Sequence, residues 1–313
     1  MISHLTQTEW DKKAIELSGS ILQSWAWGEF QNAYGQKIYR FVSEEAMGLM
    51  TELVLPFGKK YWYSSKGPLG RVEDILVDIK EVSNKEPDVI FARLEPQTAL
   101  DLPASVKETQ PNNNWMLNIE PDEQRLLIDM KAKTRYNINL AARKGVKVRE
   151  GKKEDLLIFW KLALETSQKN DFKLHPQQYY WLMWETLSPK FIKLLIAEYN
   201  GTPLAAILVT LFGEIATYLH GGSTSAYKDT MAPYLLHWEA IKFAKQQGYK
   251  VYDFGGVAPS NSEGHGWAGI SRFKKSFGGF EVSSPGSFDL VLSPIWYNVY
   301  KNARTLRNII KRS

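Results

Sequence analysis

The 313-residue chain contains no cysteine. Disulfides, thiolate zinc sites, iron–sulfur clusters and cysteine nucleophiles are thereby excluded. Long apolar runs are missing too. The longest, residues 204–212, is about half of what a membrane-crossing helix requires. Residues 1–10 lack a basic stretch followed by an apolar one, so no signal peptide is expected and the chain reads as cytoplasmic. Histidine is scarce: His4, His175, His220, His237 and His265 are scattered, with no pair at metal-ligand spacing. There is no Gly-x-Ser-x-Gly elbow and no Walker loop, which argues against a serine hydrolase and an NTPase. Neither a metal nor a cofactor is expected.

What the chain does have is an uneven charge. Hydrophobic residues at 44% and charged residues at 23% are ordinary for a globular protein, and the net charge is +5. Residues 131–153, however, carry nine cations against Glu150 alone, or +8. Residues 295–313 carry five cations and no acid, which leaves the remainder at −8. Two basic segments on a mildly acidic body favour phosphates of nucleotide, RNA or lipid headgroup; the alternative is two solvated helix faces.

One pattern of elements occurs twice. A short helix at 25–32 precedes strand-like runs at 37–42, 47–55 and 60–64, a helix at 72–82 and a strand at 88–94. In the second half, strands at 191–199, 204–212 and 215–220 are separated by Asn200-Gly201 and Gly213-Glu214. A helix opened by Pro233 and stopped by Gly248 follows, then a strand at 249–254. Between the halves, the spacing predicts one long helix over 122–144, opened by Asp122 and stopped by Gly145. Helices are also expected at 154–167, 176–187 and 295–313. In the last, apolar residues alternate with cations, as in a helix lying on an anionic membrane surface or one packed on its own protein.

Three meandering strands, a helix and a further strand resemble the core of the GNAT N-acetyltransferase fold. The expectation is an α/β (α+β) protein of two tandem GNAT-like domains, each a mixed sheet flanked by helices, with a cleft between them. The expected domains are 1–120 and 121–285, with 286–313 packing on the first. Loop 221–232 begins with two glycines but turns bulky and polar, unlike a glycine-rich pyrophosphate loop, so an acyl donor other than coenzyme A is favoured. Segment 267–280 sets Arg272, Lys274 and Lys275 among aromatics and glycines, where a lysine can face an oxyanion. Asp253 closes a strand, either at a cleft or as a turn anchor.

Several short motifs run in order from residue 21 to 280: Leu22-Gln23-Ser24-Trp25, Ser65-Lys66-Gly67-Pro68, Lys133-x-Arg135 leading to Gly145-Val146-Lys147-Val148, Ala232-Pro233-Tyr234, Tyr252-Asp253-Phe254-Gly255-Gly256, and Arg272-Phe273-Lys274-Lys275-x-Phe277-Gly278. Together they resemble the Fem family of peptidoglycan interpeptide-bridge aminoacyltransferases, in its compact form without a coiled-coil arm. The resemblance implies transfer of an amino acid from aminoacyl-tRNA to the stem peptide of UDP-MurNAc-pentapeptide or of lipid II. It implies a catalytic role for Lys274 and substrate contacts at Tyr179, His175, Tyr218, His220, Lys66 and Arg272. His175 stands where the family has an arginine, and His220 where it has a tyrosine, with Tyr218 expected on the same strand face. A lysine near the first helix has no counterpart in Gly28-Glu29-Phe30-Gln31.

In such a reaction the acceptor amine attacks the ester directly, so no enzyme nucleophile is needed. No general base stands out; a substrate carboxylate, Asp253 or His220 could take its proton, and Lys131, Lys133, Arg135, Arg143 and Lys144 would contact tRNA phosphates without reading sequence. The alternatives are a coenzyme A-dependent N-acyltransferase and a non-catalytic protein binding phosphate or membrane. Residues 295–313 are the candidate for contact with the inner face of the plasma membrane.

Overall fold

The computed structural model describes residues 3–170, 172–259 and 266–310, the last four by backbone alone. His265, Lys311 and Arg312 lie outside the described residues. Thr6 opens α1 (Gln7–Glu16) with a reciprocal cap: its hydroxyl accepts from Glu9 N, and the Glu9 carboxylate accepts from Thr6 N. Ser24 caps α2 (Trp25–Ala33) by accepting from Trp27 N. Strands β1 (Ile38–Val42), β2 (Ala46–Val54) and β3 (Lys60–Ser64) form an antiparallel meander. The short β4 (Leu69–Gly70) and helix α3 (Glu73–Ser83) lead to β5 (Val89–Leu94), which lies parallel to β3.

The chain continues through β6 (Asn113–Asn118), α4 (Glu123–Asp129), α5 (Ala132–Lys144), β7 (Lys147–Gly151), α6 (Leu156–Asn170) and α7 (Gln177–Leu187). A second antiparallel meander, β8 (Ile192–Tyr199), β9 (Thr202–Phe212) and β10 (Ile215–Ser223), precedes α8 (Ala232–Gln246) and β11 (Val251–Gly256), which is parallel to β10. Then come α9 (Ala268–Lys275), β12 (Phe280–Ser283), β13 (Phe288–Val291) and α10 (Pro294–Ile310).

Two compact units result. One holds the residues up to Asn112 and those from Ser283 on; the other is Asn113–Val282. The first sheet runs β1-β2-β3-β5-β13, with β4 on β2, and the second β12-β6-β11-β10-β9-β8-β7. β6, read from sequence as part of the first half, is a strand of the second sheet beside β11. In each unit the meander, one helix and one parallel strand share a core: Ile75 and Ile79 of α3 pack under β1, β2 and β5, and Leu236, Ala240 and Ala244 of α8 under β8–β11. The inner strands β5 and β9 are buried on both faces, which explains why they are apolar nearly throughout, with Arg93 and Thr210 as buried polar exceptions.

The single helix expected over 122–144 is two. Met130 and Lys131 are non-helical. Met130 drops into the core, and Arg135 turns back so that Nη1 donates to the carbonyls of Leu127, Ile128 and Met130. The guanidinium thus satisfies carbonyls that the end of α4 would leave open. Neither glycine nor proline marks this break. The stretch around Lys274 is helix α9.

Candidate active site

β10 pairs with β9 along its whole length but with β11 only from Ile215 to Thr217, opposite Val251 to Asp253. Beyond that point the two parallel strands part. Both deform there. β10 carries a bulge between Tyr218 and His220, and β11 loses register with β6 between Asp253 and Gly256. Gly255 takes a positive φ of 73°, a conformation that favours glycine. Asp253 stabilises this turn: Gly255 N donates to Oδ1 at 2.7 Å, and Asn114 Nδ2 donates to Oδ2 at 2.9 Å. The carboxylate can only accept from the amide nitrogen, so Asn114 Oδ1 points elsewhere; it is buried and has no partner among the described residues.

α9 sends Lys274 into the opening. The side chain is only 7% exposed, and Nζ donates to Gly256 O at 2.7 Å while lying 5.6 Å from the centre of the Tyr218 ring. A Cβ on Gly255 would stand 3.8 Å from Nζ. Among the described residues no carboxylate is within ion-pair distance of Nζ. Burial therefore dominates and pushes the Lys274 pKa down to about 8, with the more distant Asp253 charge opposing it. Behind it lies His237 of α8, buried against Tyr218, Phe254, Phe273 and Phe277 and paired through Nδ1 with Tyr252 Oη at 3.1 Å. Burial first, and the Lys274 charge second, push His237 down to about 3. It is a neutral wall of the site at neutral pH. Burial pushes the Tyr218 hydroxyl up to about 12.

Tyr218 and His220 do not share a face. The bulge pairs Tyr218 with Val209 and His220 with Leu208, neighbours that point to opposite sides of β9. Tyr218 goes with α8 and Lys274. His220 goes with α7 on the other side, where its ring stands edge-on 5.2 Å from Tyr180 and 6.1 Å from His175. His175 is stacked on Tyr179 at 3.9 Å. Burial and the neighbouring His175 hold His220 below the ordinary imidazole range. The period-two expectation fails because one inserted residue, Leu219, reverses the alternation.

The remaining sequence candidates separate. Lys66 has its backbone N on Glu95 Oε2 and its Nζ on Pro111 O, in the first unit. The motifs around it are structural: fully buried Gln23 donates from Nε2 to Ser64 Oγ and Ser65 O and accepts from Leu49 N, leaving no room for a Cβ on Gly67. Arg272 is exposed. Lys144 pairs with Asp229, and Arg135 donates from Nη1 to carbonyls at the end of α4. Lys131, Lys133 and Arg143 are exposed. Asn114 and His237 were not singled out from sequence. His237 stands one residue from Leu236 and three from Ala240 on the buried face of α8, a placement that flags it.

The FemAB family model matches residues 78–202 and 190–305. The chain belongs to the FemAB family. It is 23% identical over 277 residues to the UDP-N-acetylmuramoylpentapeptide-lysine N(6)-alanyltransferase of Weissella viridescens, covering 78% of this chain and 82% of that protein. It is 31% identical over 111 residues to the lipid II:glycine glycyltransferase of Staphylococcus haemolyticus (strain JCSC1435), covering 36% of this chain and 26% of that protein. The chain thus spans about a quarter of the staphylococcal relative. Its fold matches the crystal structure of FemX with a TM-score of 0.86, at 17% identity and over 96% of this chain and 100% of that one. A tandem GNAT protein from the clavulanic acid biosynthesis pathway matches at a TM-score of 0.53 and 9% identity, over 92% and 97% of the two chains. The FemAB fold here is thus a pair of GNAT-like units.

Proposed function

We propose that this FemAB protein is an aminoacyltransferase that moves an amino acid from aminoacyl-tRNA to the stem-peptide amine of a peptidoglycan precursor, either UDP-MurNAc-pentapeptide or lipid II. The observation that carries the reading is Lys274, a buried ammonium placed where two parallel strands part. The printed activities of the Weissella and staphylococcal relatives supply the substrate class.

The amine nitrogen attacks the ester carbonyl carbon. A C–N bond forms, and the carbonyl electron pair becomes an oxyanion. With a pKa of about 8, Lys274 is about nine-tenths protonated at pH 7 and offers the oxyanion the N–H bonds that Gly256 does not use. Collapse breaks the C–O bond to the ribose, whose oxygen takes up the proton the amine gives up. An acceptor lysine has a pKa of about 10.4 in water, so its ammonium first releases one proton to solvent; the proton passed to the ribose oxygen is the second, shed by the nitrogen after attack. Asp253, holding Gly255 and Asn114, is a positioning residue for the opening. Holding both substrates in place would supply much of the acceleration.

The exposed strip of α5 supports the tRNA side. Lys133, Tyr136 and Arg143 lie along one face of this helix, with Lys131 just before it. Loop 224–231 speaks against a coenzyme A pyrophosphate. Thr230 N, Met231 N and Tyr234 N are bonded to Tyr227 O, Lys228 O and Met231 O, and Pro233 has no N–H, so few donors at the start of α8 are left for an anion.

The test supplies the protein with a charged tRNA pool and a lysine-containing pentapeptide precursor, and reads the acceptor mass. An acceptor heavier by one amino-acid residue, and lost with Lys274→Met, is expected. Transfer at an undiminished rate by Lys274→Met, or none from any charged tRNA, would overturn the reading.

A further inference from the structure

Tyr218 stands where the strands part, with its hydroxyl uncommitted. β10 pairs with β11 only as far as Thr217, opposite Asp253. Tyr218 is the next residue, and its ring runs forward along β10: a Cβ on Gly221 would stand 2.7 Å from both its Cε2 and its Oη. The missing side chain of Gly221 thus leaves the room in which the phenol lies, along the stretch where β10 has lost β11. His237 holds the ring edge-on at 4.7 Å, and Lys274 Nζ lies 5.6 Å from its centre.

The other polar groups around the opening are engaged. Asp253 accepts from Gly255 N at one oxygen and from Asn114 Nδ2 at the other. His237 turns Nδ1 to Tyr252 Oη. Lys274, protonated, can only donate, and gives one N–H to Gly256 O. Tyr218 Oη has no hydrogen-bond partner among the described residues. A phenol both donates and accepts, so it can take up one proton as it gives away another.

We propose that Tyr218 is a further catalytic residue of the tRNA-dependent transfer: its hydroxyl relays the proton from the attacking nitrogen to the departing ribose oxygen. The proposal rests on the acyl-transfer reading. Once the C–N bond has formed, the nitrogen carries one proton too many. As the C–O bond breaks, Tyr218 Oη donates its hydrogen to the ribose oxygen and its lone pair receives the proton from nitrogen. The phenol is restored, and neither product is left charged by the exchange. Burial pushes the hydroxyl up to about 12, so it enters the step protonated at neutral pH. The Lys274 ammonium beside the ring favours whatever negative charge builds on the phenol oxygen during the exchange.

Tyr218→Phe keeps the ring and removes only the relay. With charged tRNA and a lysine-containing pentapeptide precursor, it should melt as the wild type does, keep KM within about two-fold and lose about 10²-fold in kcat. A second donor separates relay from packing: the same tRNA with its amino acid held as a thioester, sulfur replacing the ribose oxygen. A thiolate departs without a proton, so on this donor the two proteins should differ by about three-fold or less. Undiminished kcat of Tyr218→Phe on the ester would overturn the relay while leaving the acyl-transfer reading intact. An equal loss on ester and thioester would also overturn it, because a ring that merely shapes the site would serve both donors alike. Absence of transfer by the wild type from any charged tRNA would overturn the acyl-transfer reading and the relay together.

Discussion

Both units bury a cation beside the last strand of the same element order, and they treat it in opposite ways. In the first, Arg93 of β5 is 1% exposed and forms a two-pronged pair with Asp289 of β13 at 2.8 and 2.9 Å, with Tyr297 Oη donating to the same carboxylate. Burial opposes the guanidinium charge, but the bonds and charge of Asp289 outweigh it and raise the pKa above its ordinary value. β3 and β5, after a register shift between Lys60 and Trp62, stay paired to Ser64 and Leu94. In the second unit the parallel strands part after three residue pairs, and Lys274 enters with a carbonyl as its hydrogen-bond partner. A paired cation closes a sheet. A cation bonded to a carbonyl, with no carboxylate at ion-pair distance among the described residues, keeps its attraction for whatever negative charge develops next to it.

Breaking the closed pair should have the largest effect. Asp289→Ala leaves Arg93 buried without its carboxylate and should reduce stability by about 3–5 kcal/mol in urea unfolding, whereas the apolar double replacement Arg93→Met/Asp289→Leu should recover most of that. A loss under about 1 kcal/mol for the single variant would mean the pair is no anchor.

Lys274→Met should reverse the pattern. Transfer should fall about 10²–10³-fold. Stability should hold or rise by up to about 3 kcal/mol, because a charge confined to an apolar site is removed. The folded pKa, about 8, lies below the unfolded value of 10.5. Between those values the unfolded chain binds more protons, so wild-type stability should gain as pH rises from about 8 to about 10.5. The burden is present in full below about 8. Lys274→Met should lack this gain, and wild-type transfer should decline as pH passes about 8. A variant with the same pH dependence of stability would remove Lys274 as its source.

The smallest expected effect separates free from committed cations in the basic segment. Lys133→Ala and Arg143→Ala should each lower the salt dependence of tRNA binding by about one unit of slope. Arg149→Ala should not, because its guanidinium forks onto Asp155 and pairs with Glu198. Equal effects from all three would mean the segment acts as diffuse charge.

Much of the fold was legible because turn chemistry is local. Asn200-Gly201, at φ 50° and 76°, and Gly145, at φ 91°, stop or turn the chain where their residue types require it. β6, whose sequence is Asn-Asn-Trp-Met-Leu-Asn, escaped notice because its polar residues resemble a loop until β11 pairs with it. The split of the helix at Met130 escaped because Arg135, several residues later, stabilises it. At the candidate site Lys274 was legible from its motif, while Asn114 was not. Asn114 belongs there only because β6 crosses to the far side of β11.

Composition and order alone determined the doubled element pattern, the exclusion of thiol chemistry and the two basic segments, since these follow from residue types and near-neighbour spacing. Which cation would be paired and which left to a carbonyl, and which side of the sheet His220 would face, were decided by tertiary structure. Ion pairing joins residues nearly two hundred positions apart, and one inserted residue in β10 reverses every side chain after it.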